Sequence, residues 1–322
     1  MKHMSHIEPR ISAVIPAFNR EKTIGRAIES ALAQTRPPIE IIVVDDGSTD
    51  NTAAAVAAYR DSVRYLYQPN AGVSAARNRG VELAIAPWVA FLDSDDYWFD
   101  DHLERMTKAI VATAGAAGFY FADTITDDGT SLWGISGFAA PSVHHLVADA
   151  TDWVLLDVQP TMLQSSLFSR ERYLEAGGLW DALRTREDTH LFFVMGIGGQ
   201  ACAVAGGGAR VTADDRSGRR LTDEYGSTSR IYWVQTRRMY ADVLNRFPLL
   251  ARHYRRRLKA RLAQAYLRLA KDDWRDGRSA TALVNLLQAV HLAPWPITLS
   301  GGRKAWRMAL SWRRSRQSLD HA

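Results

Sequence analysis

The chain is poor in the residues that mark several common protein classes. A single cysteine, Cys202, in 322 residues excludes an intramolecular disulfide framework, and no zinc spacing is present. There is no Gly-x-x-x-x-Gly-Lys loop and no serine nucleophile elbow. Gly196-x-Gly198-Gly199 lacks the last glycine of a dinucleotide fingerprint and follows no predicted strand, so a nicotinamide cofactor has no support. His144 and His145 are adjacent and cannot share a helical metal face. The start, Met1-Lys-His-Met-Ser-His, lacks the apolar core of a secretory signal, which makes a cytoplasmic location the expectation. The one long uncharged run, Leu191 to Ala209, has six glycines among nineteen residues; it predicts a helix end, a turn and a short strand, not a membrane span.

What is present suffices for a full-sized core: 47% of the residues are hydrophobic, with room for one large domain and an appendage. Charge divides the chain in the same way. Residues 1–228 hold 20 Lys and Arg against 30 Asp and Glu, whereas residues 229–322 hold 20 against 5. A strongly basic C-terminal part faces something anionic, whether phospholipid, nucleic acid or the acidic body of the same chain.

From Ile11 to about Phe121, short apolar runs alternate with helical patterns, the signature of a parallel sheet built from β-α-β units. Strands are predicted at Ile11 to Ile15, Ile39 to Val44, Val63 to Tyr67 and Trp88 to Leu92. Ile24, Ala27, Ile28, Ala31 and Leu32 give the first helix its buried stripe, and the next helix starts near Asp50. Residues 115–228 are less regular and are read as the second half of the same domain. Helical periodicity then runs through Tyr232 to Ala270 and through Ala280 to Leu292, where Ala280, Leu283, Leu286, Leu287, Ala289 and Val290 predict a core-facing stripe. Arg303 to Arg316 places Ala305, Trp306, Met308, Ala309, Leu310 and Trp312 broadly on one side of a helix, which suits either an anionic membrane surface or packing on the protein itself.

The most informative stretch is Trp88-Val-Ala-Phe-Leu-Asp93-Ser94-Asp95-Asp96, a buried-strand pattern that delivers several carboxylates at its end. Such a cluster repels itself unless a cation joins it, and Mg²⁺ or Mn²⁺ prefers carboxylate oxygens while leaving positions for substrate phosphates. An acidic helix N-terminus is the structural alternative. Pro16-Ala17-Phe18-Asn19 and Asp45-Asp46-Gly47-Ser48 end two earlier strands, and ligands of open parallel sheets bind at that edge.

In sum, Ala13-Val-Ile-Pro16-Ala-Phe-Asn19, Gln34-Thr35, Ile41-Ile-Val-Val-Asp45-Asp46-Gly47-Ser48-Thr49-Asp50, Asn70-Ala-Gly72-Val-Ser-Ala-Ala-Arg77-Asn78-x-Gly80 and Phe91-Leu-Asp93-Ser94-Asp95-Asp96 resemble the family 2 glycosyltransferases, and Gly177-Gly178-Leu179-Trp180-Asp181 with Glu187-Asp188 extends the resemblance to about residue 225. The resemblance implies an α/β, GT-A type fold: a mostly parallel sheet sandwiched by helices, with residues 1–228 as the catalytic domain and 229–322 as a basic helical extension. It implies an inverting, Mg²⁺- or Mn²⁺-dependent transfer of sugar from a UDP-, GDP- or dTDP-sugar to a hydroxyl of a glycan or lipid-linked acceptor, in surface polysaccharide or glycoconjugate synthesis. Position by position, Pro16, Ala17 and Phe18 line the base pocket and Asp46 accepts from the base, with Asp45 as the other option or as a cap of the turn. Asp95 is the metal ligand; Asp93 holds the metal or the ribose, beside Ser94. Arg77 reaches phosphate or lies on a helix surface. Asn70 and Gly72 shape the loop before that helix, and Asp96 caps the following one. Asp188 is the catalytic base, with Glu187 second, because displacement at a sugar carbon needs a carboxylate to take the acceptor's proton.

His190 and the region Val211 to Leu221 depart from the family's usual pattern; Arg216, Arg219 and Arg220 there form either a basic loop over the diphosphate or a solvated one. Two rival readings follow. A sugar nucleotidyltransferase shares a similar sheet but carries a Gly-rich, basic loop where this chain has Pro16-Ala-Phe-Asn-Arg20. A catalytically idle protein would use its basic helices on membrane, as a peripheral protein at the inner face, or on nucleic acid; the presence of both Asp95 and Asp188 makes it the weaker reading.

Overall fold

The computed structural model describes residues 8–212 and 226–293. The chain divides into two compact units, Met1–Glu224 and Tyr225–Ala322.

In the first unit, β1 (Ile11–Ala17), α1 (Ile24–Leu32), β2 (Glu40–Asp46), α2 (Thr52–Ala57), β3 (Val63–Gln68), α3 (Val73–Leu83) and β4 (Trp88–Phe91) alternate as expected. Every residue of β1 and β4 is buried, the property of strands covered on both faces, and such strands read as unbroken apolar runs. α1 buries Ile24, Ala27, Ile28 and Ala31 of the stripe its sequence predicts, while Leu32 is exposed. Then come β5 (Tyr97–Trp98), α4 (His102–Ala112), β6 (Phe119–Thr126), α5 (Leu132–Ser136), β7 (His144–Val147), α6 (Thr151–Val154), β8 (Ser166–Ser169), α7 (Arg170–Glu175), α8 (Glu187–Gly196) and β9 (Ala201–Val211). The glycine-rich run from Leu191 is thus the end of α8, a turn and the start of β9.

The strands form one sheet in the order β3-β2-β1-β4-β8-β6-β9-β5, with β7 also on β9. β1 pairs in parallel with β2 and β4, β2 with β3, and β6 with β9. The pairings β4–β8, β6–β8, β5–β9 and β7–β9 are antiparallel. Most of the paired residues lie in parallel ladders, as expected, and residues 115–212, whose period is hard to read, supply the antiparallel neighbours. The C-terminal ends of β1, β2 and β4 point the three acidic or asparagine-bearing loops to one edge.

Close packing brings α3 onto that parallel core. A Cβ at Gly80 would lie 2.3 Å from Val14 Cγ1, so only glycine lets the helix approach β1 this closely.

The second unit holds α9 (Arg230–Arg246), α10 (Arg252–Arg275) and α11 (Ser279–Leu292). The single periodic stretch Tyr232 to Ala270 is two helices, because Pro248 lies in the break. Asp273, fully buried in α10, pairs with Arg230 at 2.9 Å and with Arg278 at 2.8 Å, and accepts from Asn285 Nδ2 at 2.8 Å. That carboxylate ties all three helices together, and it fixes the rotation of α11. Ala282, Asn285 and Ala289 face inward, while Leu283, Leu287 and Val290 are 52%, 60% and 43% exposed. Of the predicted core stripe, Ala289 is buried and Leu286 half-buried, while Leu283, Leu287 and Val290 face outward, a correction set by the buried polar contact. Among the described residues, no helix is long and apolar enough to cross a membrane.

Gly80→Ala is expected to cost about 1–3 kcal/mol in urea denaturation, the usual range for overpacking, and Val14→Ala in the same chain to restore most of it. Unchanged stability of the single variant would contradict the close approach of α3 to β1.

Candidate active site

The loops after β1 and β2 hold each other in place. Asn19 takes a left-handed backbone, φ 54°, which its side chain secures: the Asn19 N–H donates to Ser48 Oγ at 2.9 Å, and Asn19 Oδ1 accepts from the Thr49 N–H at 2.8 Å. Glu21 Oε2 accepts from the Asn51 N–H, and Asp50 Oδ2 accepts from the Glu21 N–H. Pro16 and Ala17 are buried within β1, whereas Phe18, just beyond it, is 45% exposed and offers the open apolar surface at this end.

Both aspartates of β2 are buried and engaged by the protein. Asp45 caps the turn through the Ser48 N–H at 2.8 Å and accepts from the Tyr65 hydroxyl at 2.6 Å. Asp46 accepts from Gln68 Nε2 at 2.7 Å and from the N–H groups of Ala71 and Gly72 at 2.9 and 2.8 Å. It therefore organises the loop into α3, where Gly72 has φ 98° and favours glycine. Asn70 and Gly72 shape that loop, as the sequence suggests.

One turn into α3, Arg77 occupies neither the helix surface nor an open phosphate position. It is buried, with Nη2 on Asp93 Oδ1 at 2.5 Å and Nη1 on Glu187 Oε1 at 3.2 Å. One guanidinium thus joins the acidic turn after β4 to the first residue of α8. Its Nε–H has no hydrogen-bond partner. Asp93, Glu187 and Asp188 all hold the Arg77 cation in its charged form against the effect of burial.

The acids around it are unevenly tuned. Glu187, its side chain 12% exposed, has its carboxyl pushed up to about 7 by burial first and by the charge of Asp188, with Arg77 opposing. Asp188 is half-buried and, through Oδ1, accepts from the Thr189 N–H at the first turn of α8. The residue before the pair, Arg186, has φ 70°, a strained backbone for a non-glycine residue immediately before Glu187 and Asp188. Ser94 is buried in the acidic turn, and Asp95 lies 3.6 Å from Arg20 Nη2.

Asp96 does not cap α4, whose N-cap position is Asp101. Instead Asp96 is buried and accepts from Gln164 Nε2 and the Thr212 N–H, both at 3.0 Å. Burial and the charges of Asp93 and Asp95 push it up to about 7. Thr212 Oγ1 and Arg26 Nη2 both donate to the Asp95 carbonyl, so the end of β9 is fastened to the acidic turn.

Residues with no assigned role in the sequence complete the site. Asn78 receives the Tyr173 hydroxyl at 2.6 Å and the Leu179 N–H at 3.0 Å, and donates to the Leu179 carbonyl at 2.8 Å, strapping the Gly177-Gly178 loop to α3. His190 packs on Trp180, ring centres 5.2 Å apart. An Asn one residue after Arg77 in the same motif was the available signal; Gln164 and Thr212 carry none, because only the fold brings them to Asp96. Arg216, Arg219, Arg220 and the segment 303–316 lie outside the described residues.

The donor set suits a hard divalent ion that shares its coordination with substrate. Among the described residues no group of three or more His, Cys, Asp or Glu side chains could enclose a metal by itself. Asp93 is engaged by Arg77 and Asp95 lies beside Arg20; a carboxylate of this turn could hold Mg²⁺ or Mn²⁺ together with phosphate oxygens, since such ions are commonly bound by one or two carboxylates plus substrate.

Residues 12–154 match the family model for Glycosyl transferase family 2. The succinoglycan biosynthesis protein ExoO of Rhizobium meliloti is 43% identical over 126 residues, 38% of this chain and 36% of that protein. The putative teichuronic acid biosynthesis glycosyltransferase TuaG of Bacillus subtilis is 37% identical over 134 residues, 40% of this chain and 53% of that protein. The chain thus spans about a third and about half of these relatives. In fold it is similar to S. aureus TarS 1-349 in complex with UDP-GlcNAc, with TM-score 0.66, 20% identity and coverage of 87% of this chain and 81% of that one. It is also similar to the mannosyltransferase PcManGT of Pyrobaculum calidifontis in complex with GDP-Man and Mn²⁺, with TM-score 0.56, 17% identity and coverage of 98% and 84%.

Glu187 and Asp96 both hold protons more tightly folded than unfolded. The folded chain therefore binds more protons between about pH 4.5 and 7, and their contribution to stability is full below that window and is lost as pH rises through it. Glu187→Gln is expected to flatten the decline, measured by urea denaturation across the same window; an unaltered slope would contradict the raised Glu187.

Proposed function

We propose, from the match of residues 12–154 to the glycosyltransferase family 2 model, that the chain moves a sugar from a nucleotide-sugar donor to an acceptor hydroxyl with inversion at the anomeric carbon. The observation that carries the proposal is Arg77, whose buried guanidinium holds Asp93 of the acidic turn and Glu187 of the α8 pair at once. The acidic turn after β4 and the first turn of α8 are thereby held side by side at the C-terminal edge of the sheet.

Each residue then has a part. Phe18 packs on the base, beside the strapped loops that follow β1 and β2. Asp95 and the residues around it receive the diphosphate end of the donor. A divalent ion, when bound there, offsets the charge that builds on the departing nucleoside diphosphate. Asp188 takes the proton of the acceptor hydroxyl as its oxygen bonds to the anomeric carbon, and the bond from that carbon to the phosphate oxygen breaks on the opposite side. Glu187, protonated or paired with Arg77, does not compete for that proton and keeps a second negative charge away from Asp188. A helix N-terminus presents the Asp188 carboxylate without consuming both of its oxygens.

The names of the relatives bear on the substrate. Two act in polysaccharide biosynthesis by name, one solved neighbour holds UDP-GlcNAc, and another holds GDP-Man with Mn²⁺. They support a UDP- or GDP-sugar donor, Mn²⁺ or Mg²⁺ as the ion, and a glycan or lipid-linked acceptor of surface polysaccharide synthesis. Residues 226–293 carry 14 Lys and Arg against 4 Asp, which suits a peripheral position at an anionic membrane surface where lipid-linked acceptors reside. The nucleotidyltransferase alternative lacks its glycine-rich loop: the backbone of Asn19 to Glu21 is hydrogen-bonded to the side chains of Ser48, Thr52 and Asp50.

Asp188→Asn is expected to lower sugar transfer by about 10²–10⁴-fold, the usual weight of a general base, while Mn²⁺-dependent binding of UDP or GDP, followed by thermal shift, is retained. Full transfer activity in this variant would remove Asp188 from the mechanism, and absence of any nucleotide or nucleotide-sugar shift in the wild type would remove the enzyme reading.

A further inference from the structure

Among the described residues, Arg77, Arg26 and Arg20 approach the acidic turn, each in a different way. Arg77 is held by Asp93 and Glu187. Arg26 donates to the Asp95 carbonyl and to Thr212 Oγ1 at 3.1 Å, and lies over the Tyr97 ring at 5.0 Å. Arg20 is placed differently. Its backbone is anchored, with the N–H on Thr52 Oγ1 at 2.7 Å and the carbonyl accepting from the Thr23 and Ile24 N–H groups at 3.1 and 3.0 Å. Its side chain runs between two ends of the site: Nη1 donates to the carbonyls of Phe18 and Asn19 at 3.4 and 3.2 Å, and Nη2 stands 3.6 Å from Asp95 Oδ2. The two side chains are 15% and 17% exposed.

That interval, from the base end at Phe18 to the acid at Asp95, is the one a diphosphate must cross. The ion pair is also loose, longer than either contact of Arg77. A hard divalent ion would sit within about 2.1 Å of the same carboxylate, so it and the guanidinium compete for Asp95. Resting on the function proposed above, we propose that Arg20 exchanges partners on donor binding: its guanidinium balances Asp95 before the cation arrives, and is displaced from Asp95 onto the diphosphate when cation and donor bind. Planar guanidinium donors match phosphate oxygens well, and the anchored backbone leaves only the side chain to move.

This exchange has a signature of opposite signs that a merely structural role lacks. Calorimetric titration of Mn²⁺ alone, of UDP and GDP at saturating Mn²⁺, and of uridine and guanosine would be run on the wild type, Arg20→Gln and Arg20→Lys. Arg20→Gln removes the competitor for Asp95, so Mn²⁺ alone is expected to bind about threefold or more tighter, while the diphosphates bind about tenfold or more weaker and the nucleosides bind as before. Arg20→Lys keeps the charge but not the fork, so it is expected to bind Mn²⁺ like the wild type and the diphosphates several-fold weaker, about three- to tenfold. This second variant decides the matter if Arg20→Gln does not fold. Changes of the same sign for metal and diphosphate, or no change in either, would overturn the role of Arg20 while leaving the transferase reading intact. A wild type that binds neither Mn²⁺ nor any diphosphate would overturn both.

Discussion

The buried guanidinium of Arg77 is the contact on which the geometry of the site depends. It comes from α3, which packs against β1 through Gly80, and it holds two acids from opposite ends of the first unit. Without it, Asp93 and Glu187 would be carboxylates close to Asp188, Asp95 and Asp96 with no counter-charge, and burial would force protonation or displacement. A buried ion pair contributes little net stability over a hydrophobic replacement, but loss of one partner is severe. Its value here is placement: the acidic turn and the N-terminus of α8 cannot move independently.

Around that contact the acids separate by environment. Asp45 and Asp46 are absorbed by hydrogen bonds that shape the β2 turn and the loop into α3. Asp96 is absorbed by Gln164 and Thr212, and Glu187 by Arg77 and its own burial. Asp95 and Asp188, the two acids to which the proposed chemistry is given, are partly exposed, as is Asp93, which Arg77 holds. Similar carboxylates therefore receive different duties from their neighbours, not from their own chemistry.

Much of this was legible in the chain and some was not, for physical reasons. Buried parallel strands are continuous apolar runs, so β1 to β4 and their terminal motifs could be located, and α1 showed its stripe. The antiparallel half was hidden because β7 and β8 are four residues long and β9 is rich in glycine. Pro248 marked a helix break that the surrounding periodicity obscured. α11 misled because its leucines are periodic yet a polar contact, Asn285 on Asp273, sets its rotation. The partners of Arg77 lie 16 and 110 residues away, so a buried bridge could not be told from a surface arginine. Asp96 posed the same difficulty, its partner Thr212 being 116 residues distant.

The most direct measurement is a double-mutant cycle on Arg77 and Glu187, using Arg77→Met, Glu187→Gln and the pair, each unfolded in urea at neutral pH. If the guanidinium links the two halves of the site, the single changes are strongly non-additive, with a coupling of about 1–3 kcal/mol, the range found for residues in direct contact. Additivity within about 0.3–0.5 kcal/mol, the behaviour of independent positions, would mean that Arg77 does not hold Glu187 and that the cleft is assembled by something else.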